Sequence, residues 1–331
     1  MSQQRVLVTG GSGFIAGHCI LQLLDQGYAV RTTVRSSARE SAVRAVLADA
    51  GMVNGDDLTF VPADLLADDG WADAVAGVDF VLHVASPVRL GEVADENDVI
   101  APAREGTLRV LRAARDAGVK RVVLTSAFHA VGFGHPPTDH TFTEDDWSVL
   151  DGPGMDAYGR AKTLAERAAW DFAAGGPMEL VTLQPVAVMG PIMGEEISGA
   201  NRIIRLILDG TAPGSPGLWI PIVDVRDVAS AHVRAMTEPA AAGHRFLLSG
   251  GPAITVRQIG ALLSDHLEAS TPDLAARIAG LFPPDAAELD PAKKVSSEKA
   301  RRVLGWRPRA SEEAVTAGAD SMIRPERRPR P

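Results

Sequence analysis

The succession of β-rich and helix-patterned segments in this chain predicts an α/β fold: a doubly wound parallel sheet carrying a smaller α/β substrate lobe. Three observations carry that expectation. Short runs rich in β-branched residues alternate with amphipathic stretches from Arg5 to Pro185. A turn built from small residues follows the first of these runs directly. After Pro185 the alternation gives way to Gly- and Pro-rich clusters such as "MGPIMGEE" and "GTAPGSPGLWIP", as expected where a lobe is assembled from insertions.

The runs are "RVLVTG" (5–10), "YAVRTTV" (28–34), "LTFVPA" (58–63), "DFVLHVA" (79–85), "RVVLTS" (121–126) and "ELVTLQP" (179–185), six strands in all. Between the first two, Ile15, Ile20, Leu21, Leu23 and Leu24 form an apolar stripe of helical period, and Gly27 supplies its left-handed stop. Further helices are expected over 37–49, 95–117 and 156–173, the last made of good helix formers. "IPIVDVRDVASAHVRAM" (220–236) reads as a strand and helix returning to the large sheet. The expected division is therefore a nucleotide-binding domain over 1–185 to which 220–248 returns, a substrate lobe from 186–219 and 249–323, and a solvated, disordered Pro- and Arg-rich tail over 324–331.

Composition narrows the class of function. With 331 residues, 46% of them hydrophobic, the chain has material for one large core or two joined lobes. A formal net charge of -9 repels nucleic acid and anionic membranes, so the expected partner is a small molecule. Cys19 is the sole cysteine, which forbids an intrachain disulfide or a cysteine-based metal site and suits a reducing cytoplasm. No run approaches the ~18 apolar residues of a spanning helix, and a strand begins too near Met1 to leave room for a leader.

"VLVTGGSGFIAGH" sets Gly10 and Gly13 at the turn from strand to helix, with Ala16 at the third small position. Glycine permits a tight turn and close backbone approach, while the free N–H groups of the helix opened by Phe14 and Ile15 favour a pyrophosphate. In this position the motif is that of a dinucleotide-binding Rossmann fold. Where a reader of NAD ribose would carry an acid at the end of the second strand, this chain has "RTTVRSSAR". Arg35 there, with Arg31 and Arg39 nearby, suits a 2′-phosphate, so the expected cofactor is NADP(H). Asp64 and Leu65 follow the third strand, where they line an adenine pocket or cap the next helix.

"AYGRAK" puts Tyr158 and Lys162 four residues apart on one helix face. An ammonium beside a phenol favours phenolate and brings its proton into reach at neutral pH. The same lysine can hold ribose hydroxyls.

Together "TGGSGFIA", "TVR", "ADL", "HVASP", "AYGRAK", "LQPVAVMGP", "DVRDVASAH" and "SSEKARRVLGW" make the chain resemble the extended short-chain dehydrogenase/reductases. Within them it looks most like the dihydroflavonol, cinnamoyl-CoA and yeast-type aldehyde/ketone reductases, over nearly all of Arg5 to Val315. The resemblance implies an NADPH-dependent reductase of aldehydes or ketones, monomeric or homodimeric, in which Tyr158 is the general acid and Lys162 its modulator and ribose anchor. It implies that Arg35 reads the 2′-phosphate, that His83, Val84, Ala85 and Ser86 form a cofactor wall, and that Pro185 to Val188 border the nicotinamide.

One position departs from the pattern. Where the family carries a second serine after the fifth strand, to hydrogen-bond the carbonyl, "TSAF" places Ala127, with Ser126 one residue early. Strand side chains alternate faces, so the offset matters. Three readings stand: a bend at the strand end turns Ser126 inward as the catalytic hydroxyl; Thr125 or His129 donates instead; or the site lacks that donor. Losing one such donor costs ~10²–10³ in rate and leaves chemistry possible.

Other constellations are weaker. His129, His135 and His140 with Asp139 lack the spacing of a metal site, and no G-x-S-x-G elbow occurs. "FTEDDW" (142–147) reads as a loop flanking the substrate mouth or a plain solvated loop. An epimerase or dehydratase of sugar nucleotides would place Asn after the sixth strand, where "QPVAV" stands, and a non-catalytic NADP sensor would not need the Tyr/Lys pair. Phe128, Phe133, Ile192, Met193, Ile203, Ile204 and Trp219 suggest an apolar carbonyl compound, with some of them simple core.

Overall fold

The computed structural model describes residues 3–87, 95–197, 199–212, 215–282 and 293–323; the expected tail at 324–331 lies outside them. Seven strands build the large sheet: β1 (Arg5–Val8), β2 (Ala29–Val34), β3 (Leu58–Pro62), β4 (Phe80–His83), β5 (Arg121–Thr125), β6 (Glu179–Pro185) and β7 (Arg245–Leu248). All pair in parallel, in the order β7-β6-β5-β4-β1-β2-β3. The order reverses between β1 and β4, and in sheets of this kind the crevice at that switch point is where ligands bind.

The helices are α1 (Phe14–Asp25), α2 (Glu40–Asp49), α3 (Trp71–Val75), α4 (Asn97–Asp116), α5 (Ala157–Ala173), α6 (Asn201–Leu208), α7 (Val225–Thr237), α8 (Val256–Leu267), α9 (Pro272–Ala279), α10 (Glu298–Val303) and α11 (Ser311–Ile323). Strand alternation divides the sheet's side chains between two cores. Val6, Val8, Leu82, Val123 and Leu183 join Ile20, Leu23, Leu24 and Val228 under α1 and α7. Leu7, Val81, Val122, Leu124 and Leu180 face Trp71, Val110, Leu111 and Ala169 under α3, α4 and α5. A third cluster, with Met189, Ile204, Ile207, Ile222, Ile259, Leu263 and Val315, holds α6, α8, α9 and α11 around short strands. Among the described residues no helix is long and apolar enough to cross a membrane.

Two expectations need correction. The strand inside 220–236 does not enter the large sheet: Ile222–Asp224 pairs with Ala187–Met189 in a separate two-stranded ribbon. The place beside β6 is already taken by β7, with Leu248 opposite Pro185, and only the following helix, α7, lies on the sheet. The 142–147 segment is a loop beyond Phe142, but it is not the plainly solvated loop of the alternative expectation. Thr141 and Phe142 pair with Lys294 and Val295, and Phe142 and Glu144 are buried. Arg245 donates to the carbonyls of Glu144 (2.6 Å) and Asp146 (2.7 Å) while its guanidinium lies 3.7 Å from the centre of the Trp147 ring, a cation–π contact that straps the segment to β7.

The chain beyond α10 is tied back to α7 by Trp306. Its buried indole donates to the Asp227 carbonyl at 2.8 Å, and the Asp227 carboxylate accepts from the Arg309 amide at 2.6 Å. Trp306→Ala should cost about 3–5 kcal/mol, read as a fall in the urea unfolding midpoint relative to the unaltered chain.

Candidate active site

The turn after β1 is shaped by contacts that leave no room for side chains. Gly10 has φ of +75°, and a Cβ there would meet the Ala85 Cβ at 2.9 Å. At Gly11 an added Cβ would lie 2.3 Å from the Thr32 hydroxyl oxygen. Gly13 caps α1 without a side chain, so the first helical amides, at Phe14 and Ile15, face outward with no intrahelical acceptor. The threonines of β2 position the turn. Gly10 N–H donates to the Thr33 hydroxyl and Gly11 N–H to the Thr33 carbonyl, both at 2.9 Å, and the Thr32 hydroxyl donates to the Val8 carbonyl at 2.7 Å.

Thr9 joins the two strands at the switch point. Its hydroxyl accepts from the amides of Val84 (3.0 Å) and Ala85 (2.9 Å), which occupies its lone pairs and sends its own proton to His83 Nδ1 at 2.9 Å. His83 therefore carries its proton on Nε2, a buried donor without a partner among the described residues. Burial, then the charge of Lys162, pushes His83 down to about 3, so the ring is neutral.

Arg35, directly after β2, is exposed with no hydrogen bond or ion pair among the described residues, and the side chain of Arg39 is likewise free on the surface among them. Arg31 points elsewhere: its guanidinium donates to the carbonyls of Asp73, Ala74 and Ala76 and caps α3. Asp64 accepts from the Leu66 amide at 2.9 Å within a turn and caps no helix, since α3 opens at Gly70 without a side-chain cap, while Leu65 packs its Cβ against Gly106 of α4.

Helix α5 carries Tyr158, Lys162 and Glu166 at successive i, i+4 positions, one above another on a single face. Asp156 caps the helix by accepting from Gly159 N–H at 2.7 Å. Lys162 is buried, its ammonium 6.0 Å from the centre of the Tyr158 ring and without a hydrogen bond among the described residues. Burial lowers it to about 8 against the opposing pull of Glu166. The sequence-based expectation of an acidified phenol is overturned: burial, joined by Asp156, pushes Tyr158 up to about 12. The ammonium stands too far off to reverse that desolvation. Tyr158 therefore keeps its proton at neutral pH, the state of a proton donor.

Ser126 and Thr125 turn to opposite faces of the sheet. The Thr125 hydroxyl donates to Nε2 of His232 on α7 at 2.7 Å, Nδ1–H of that histidine being given to the Val228 carbonyl. The Ser126 hydroxyl donates to the carboxylate of Glu166. Glu166 is itself buried and also accepts from Thr182 (2.8 Å), Gln184 (2.6 Å) and Arg245 (2.8 Å). Ser126, the catalytic candidate, is thus spent on a structural carboxylate, and Thr125 on a histidine across the sheet. Both still border a small cavity with Ala85, Ser86, Lys162 and Glu166.

Ala127 has extended backbone and a buried methyl group. The three loop histidines part company. His129 packs edge-on against Tyr158, His135 contacts the Trp147 carbonyl, and His140 pairs with Asp146. Pro185 ends β6 and Val188 lies in the short ribbon, half-buried. Of the expected substrate wall, Phe128 and Ile204 are core, whereas Phe133, Ile192, Met193, Ile203 and Trp219 keep partial exposure.

The turn, the orphaned His83 N–H, the unpaired Lys162 ammonium and the free Arg35 make a donor set that fits a phosphorylated dinucleotide. Sequence reasoning passed over Thr9, Gly11, Thr32, Thr33 and Glu166. Glu166 alone carried a visible signal, its spacing of four from Lys162.

Residues 6–248 match the family model for the NAD dependent epimerase/dehydratase family. Tetraketide alpha-pyrone reductase 2 of Arabidopsis thaliana is 37% identical over 72% of this chain and 75% of its own length. A ketoreductase of Aspergillus niger is 32% identical over 97% of this chain and 98% of its own. The crystal structure of yeast methylglyoxal/isovaleraldehyde reductase Gre2, complexed with NADPH, superposes with a TM-score of 0.83 at 25% identity, covering 97% of this chain and 98% of that one. With the glycine turn, the switch-point crevice and the Tyr158–Lys162 face all inside the matched region, the chain belongs to the NAD dependent epimerase/dehydratase family.

Proposed function

We propose that the protein is an NADPH-dependent reductase that converts an apolar aldehyde or ketone to its alcohol, with Tyr158 as the general acid. The observation that carries this reading is Tyr158 and Lys162 on one face of α5, the phenol half-buried and the ammonium-bearing side chain buried and lining a small cavity with Ser86 and Thr125. When bound, NADPH supplies the hydride. Gly10, Gly13, Phe14 and Ile15 would hold its pyrophosphate through backbone N–H groups, and Arg35 its 2′-phosphate. Val84, Ala85 and Ser86, with Pro185 and Val188, would flank the rest. Lys162, buried with no other partner among the described residues, would donate to ribose hydroxyls and keep the ring in place. Tyr158, protonated up to about 12, gives its proton to the carbonyl oxygen as negative charge develops there. The half-exposed Phe133, Ile192, Met193, Ile203 and Trp219 favour an apolar substrate. The relatives named as reductases support the same class, and the buried, unpaired Cys19 suits work in the cytoplasm.

Purified protein should oxidise NADPH with a panel of benzaldehyde, cinnamaldehyde, isovaleraldehyde and acetophenone, followed by loss of reduced-nicotinamide absorbance. Tyr158→Phe should lower kcat by roughly 10²–10⁴ while leaving NADPH affinity intact; undiminished turnover in that variant overturns the reading. Arg35→Ala should raise the dissociation constant for NADPH by roughly 10–100-fold, as expected for a lost charged hydrogen bond, with little change for NADH. A pH profile of kcat/KM for NADPH should fall as pH rises through about 8, where Lys162 loses its proton, since Tyr158 stays protonated well beyond that. A flat profile through that region would contradict the assignment.

A further inference from the structure

Besides Lys162, the fold sets the polar side chain of His129 against Tyr158. The two rings meet edge to face with centroids 4.9 Å apart, and the imidazole stacks on Phe133 at 4.0 Å. The backbone pins this placement: the His129 carbonyl accepts from Ser148 at 2.7 Å and from Thr163 of α5 at 3.3 Å. Neither ring nitrogen has a hydrogen-bond partner among the described residues. The nearby hydroxyls on β5 and just after it are engaged elsewhere, Thr125 with His232 and Ser126 with Glu166, and position 127 offers only a methyl group. Burial, opposed by Asp156 and aided by Lys162 and Lys293, pushes His129 down to about 4, so near neutral pH the ring bears one N–H and no charge.

We propose that His129 donates the hydrogen bond that holds the substrate's carbonyl oxygen beside the Tyr158 hydroxyl, the task a hydroxyl at position 127 would otherwise perform. This rests on the reading of the site as a carbonyl reductase. During reduction the hydride adds to the carbonyl carbon and the C–O π pair moves to oxygen. That oxygen takes the proton of Tyr158, and the phenolate is reprotonated from water. His129 keeps its own proton and acts by its dipole, as donors to a developing oxyanion do. Phe133 stacks on the imidazole plane, and Lys293 lies 5.0 Å from the centre of the Phe133 ring with its ammonium on the Gly132 carbonyl.

His129→Phe keeps the stack and removes the N–H. With the fastest aldehyde of the panel it should lower kcat by about 10²-fold, with the NADPH dissociation constant, read by fluorescence titration, unchanged. Adding Ala127→Ser to that variant should recover about tenfold or more, and free imidazole should partly rescue His129→Gly. Turnover of His129→Phe within about threefold of the unaltered protein, well short of the loss expected for a missing donor, overturns the inference. So does a loss that neither the added serine nor imidazole restores. Tyr158→Phe separates the two layers of argument. Loss there with His129→Phe intact overturns this inference alone, whereas loss in neither overturns the reading beneath it.

Discussion

The buried carboxylate of Glu166 holds α5 to the sheet. It lies one helical turn beyond Lys162 and two beyond Tyr158, and it gathers donors from the end of β5, from two side chains of β6 and from Arg245 of β7. Arg245 then carries the connection outward to the carbonyls of the strapped segment and to the Trp147 ring. A buried charge survives only when its lone pairs are filled and an opposite charge stands against it, and both conditions are met here. The rotation and height of α5 follow from that bonding, and with them the place of the phenol and the ammonium. The same carboxylate explains why Ser126 is not free for substrate.

Burial also sets the proton inventory of the crevice. It drives the phenol of Tyr158 up, the ammonium of Lys162 down and the imidazoles of His83 and His129 down, each toward its neutral form. The outcome is a site with a protonated acid, a cation poised near the physiological range and two neutral rings each carrying an N–H. Such a set offers hydrogen-bond donors of which Lys162 alone carries charge near neutral pH. The cofactor cradle is held by a different set of bonds. Thr9, Thr32 and Thr33 use side-chain hydroxyls to bond the backbones of β1, β4 and the glycine turn, so three strands share one short polar seam at the switch point.

Much was legible in the linear order of residues. Six of the seven strands, the glycine turn, the helix bearing Tyr158 and Lys162 and the exposed arginine at the end of β2 all rest on local periodicity and spacing, which backbone geometry translates directly. Local pattern failed where neighbours remote in sequence compete for the same place. Ile222–Asp224 had the composition of a sheet strand, yet β7 occupies the edge it would have used. Arg31 and Arg35 sit four residues apart with the same side chain. One is drawn to the carbonyl end of α3 and the other is left in solvent, because α3 packs beside only one of them.

By itself the sequence determined the fold class, the face shared by Tyr158 and Lys162 and the substitution of alanine at position 127, since each follows from residue type and spacing. The tertiary structure decided which hydroxyls are free, which way each pKa moves and that His129 meets Tyr158. Those depend on burial and on partners brought from distant segments, as with Ser126 and Glu166, forty residues apart, and no local pattern encodes them.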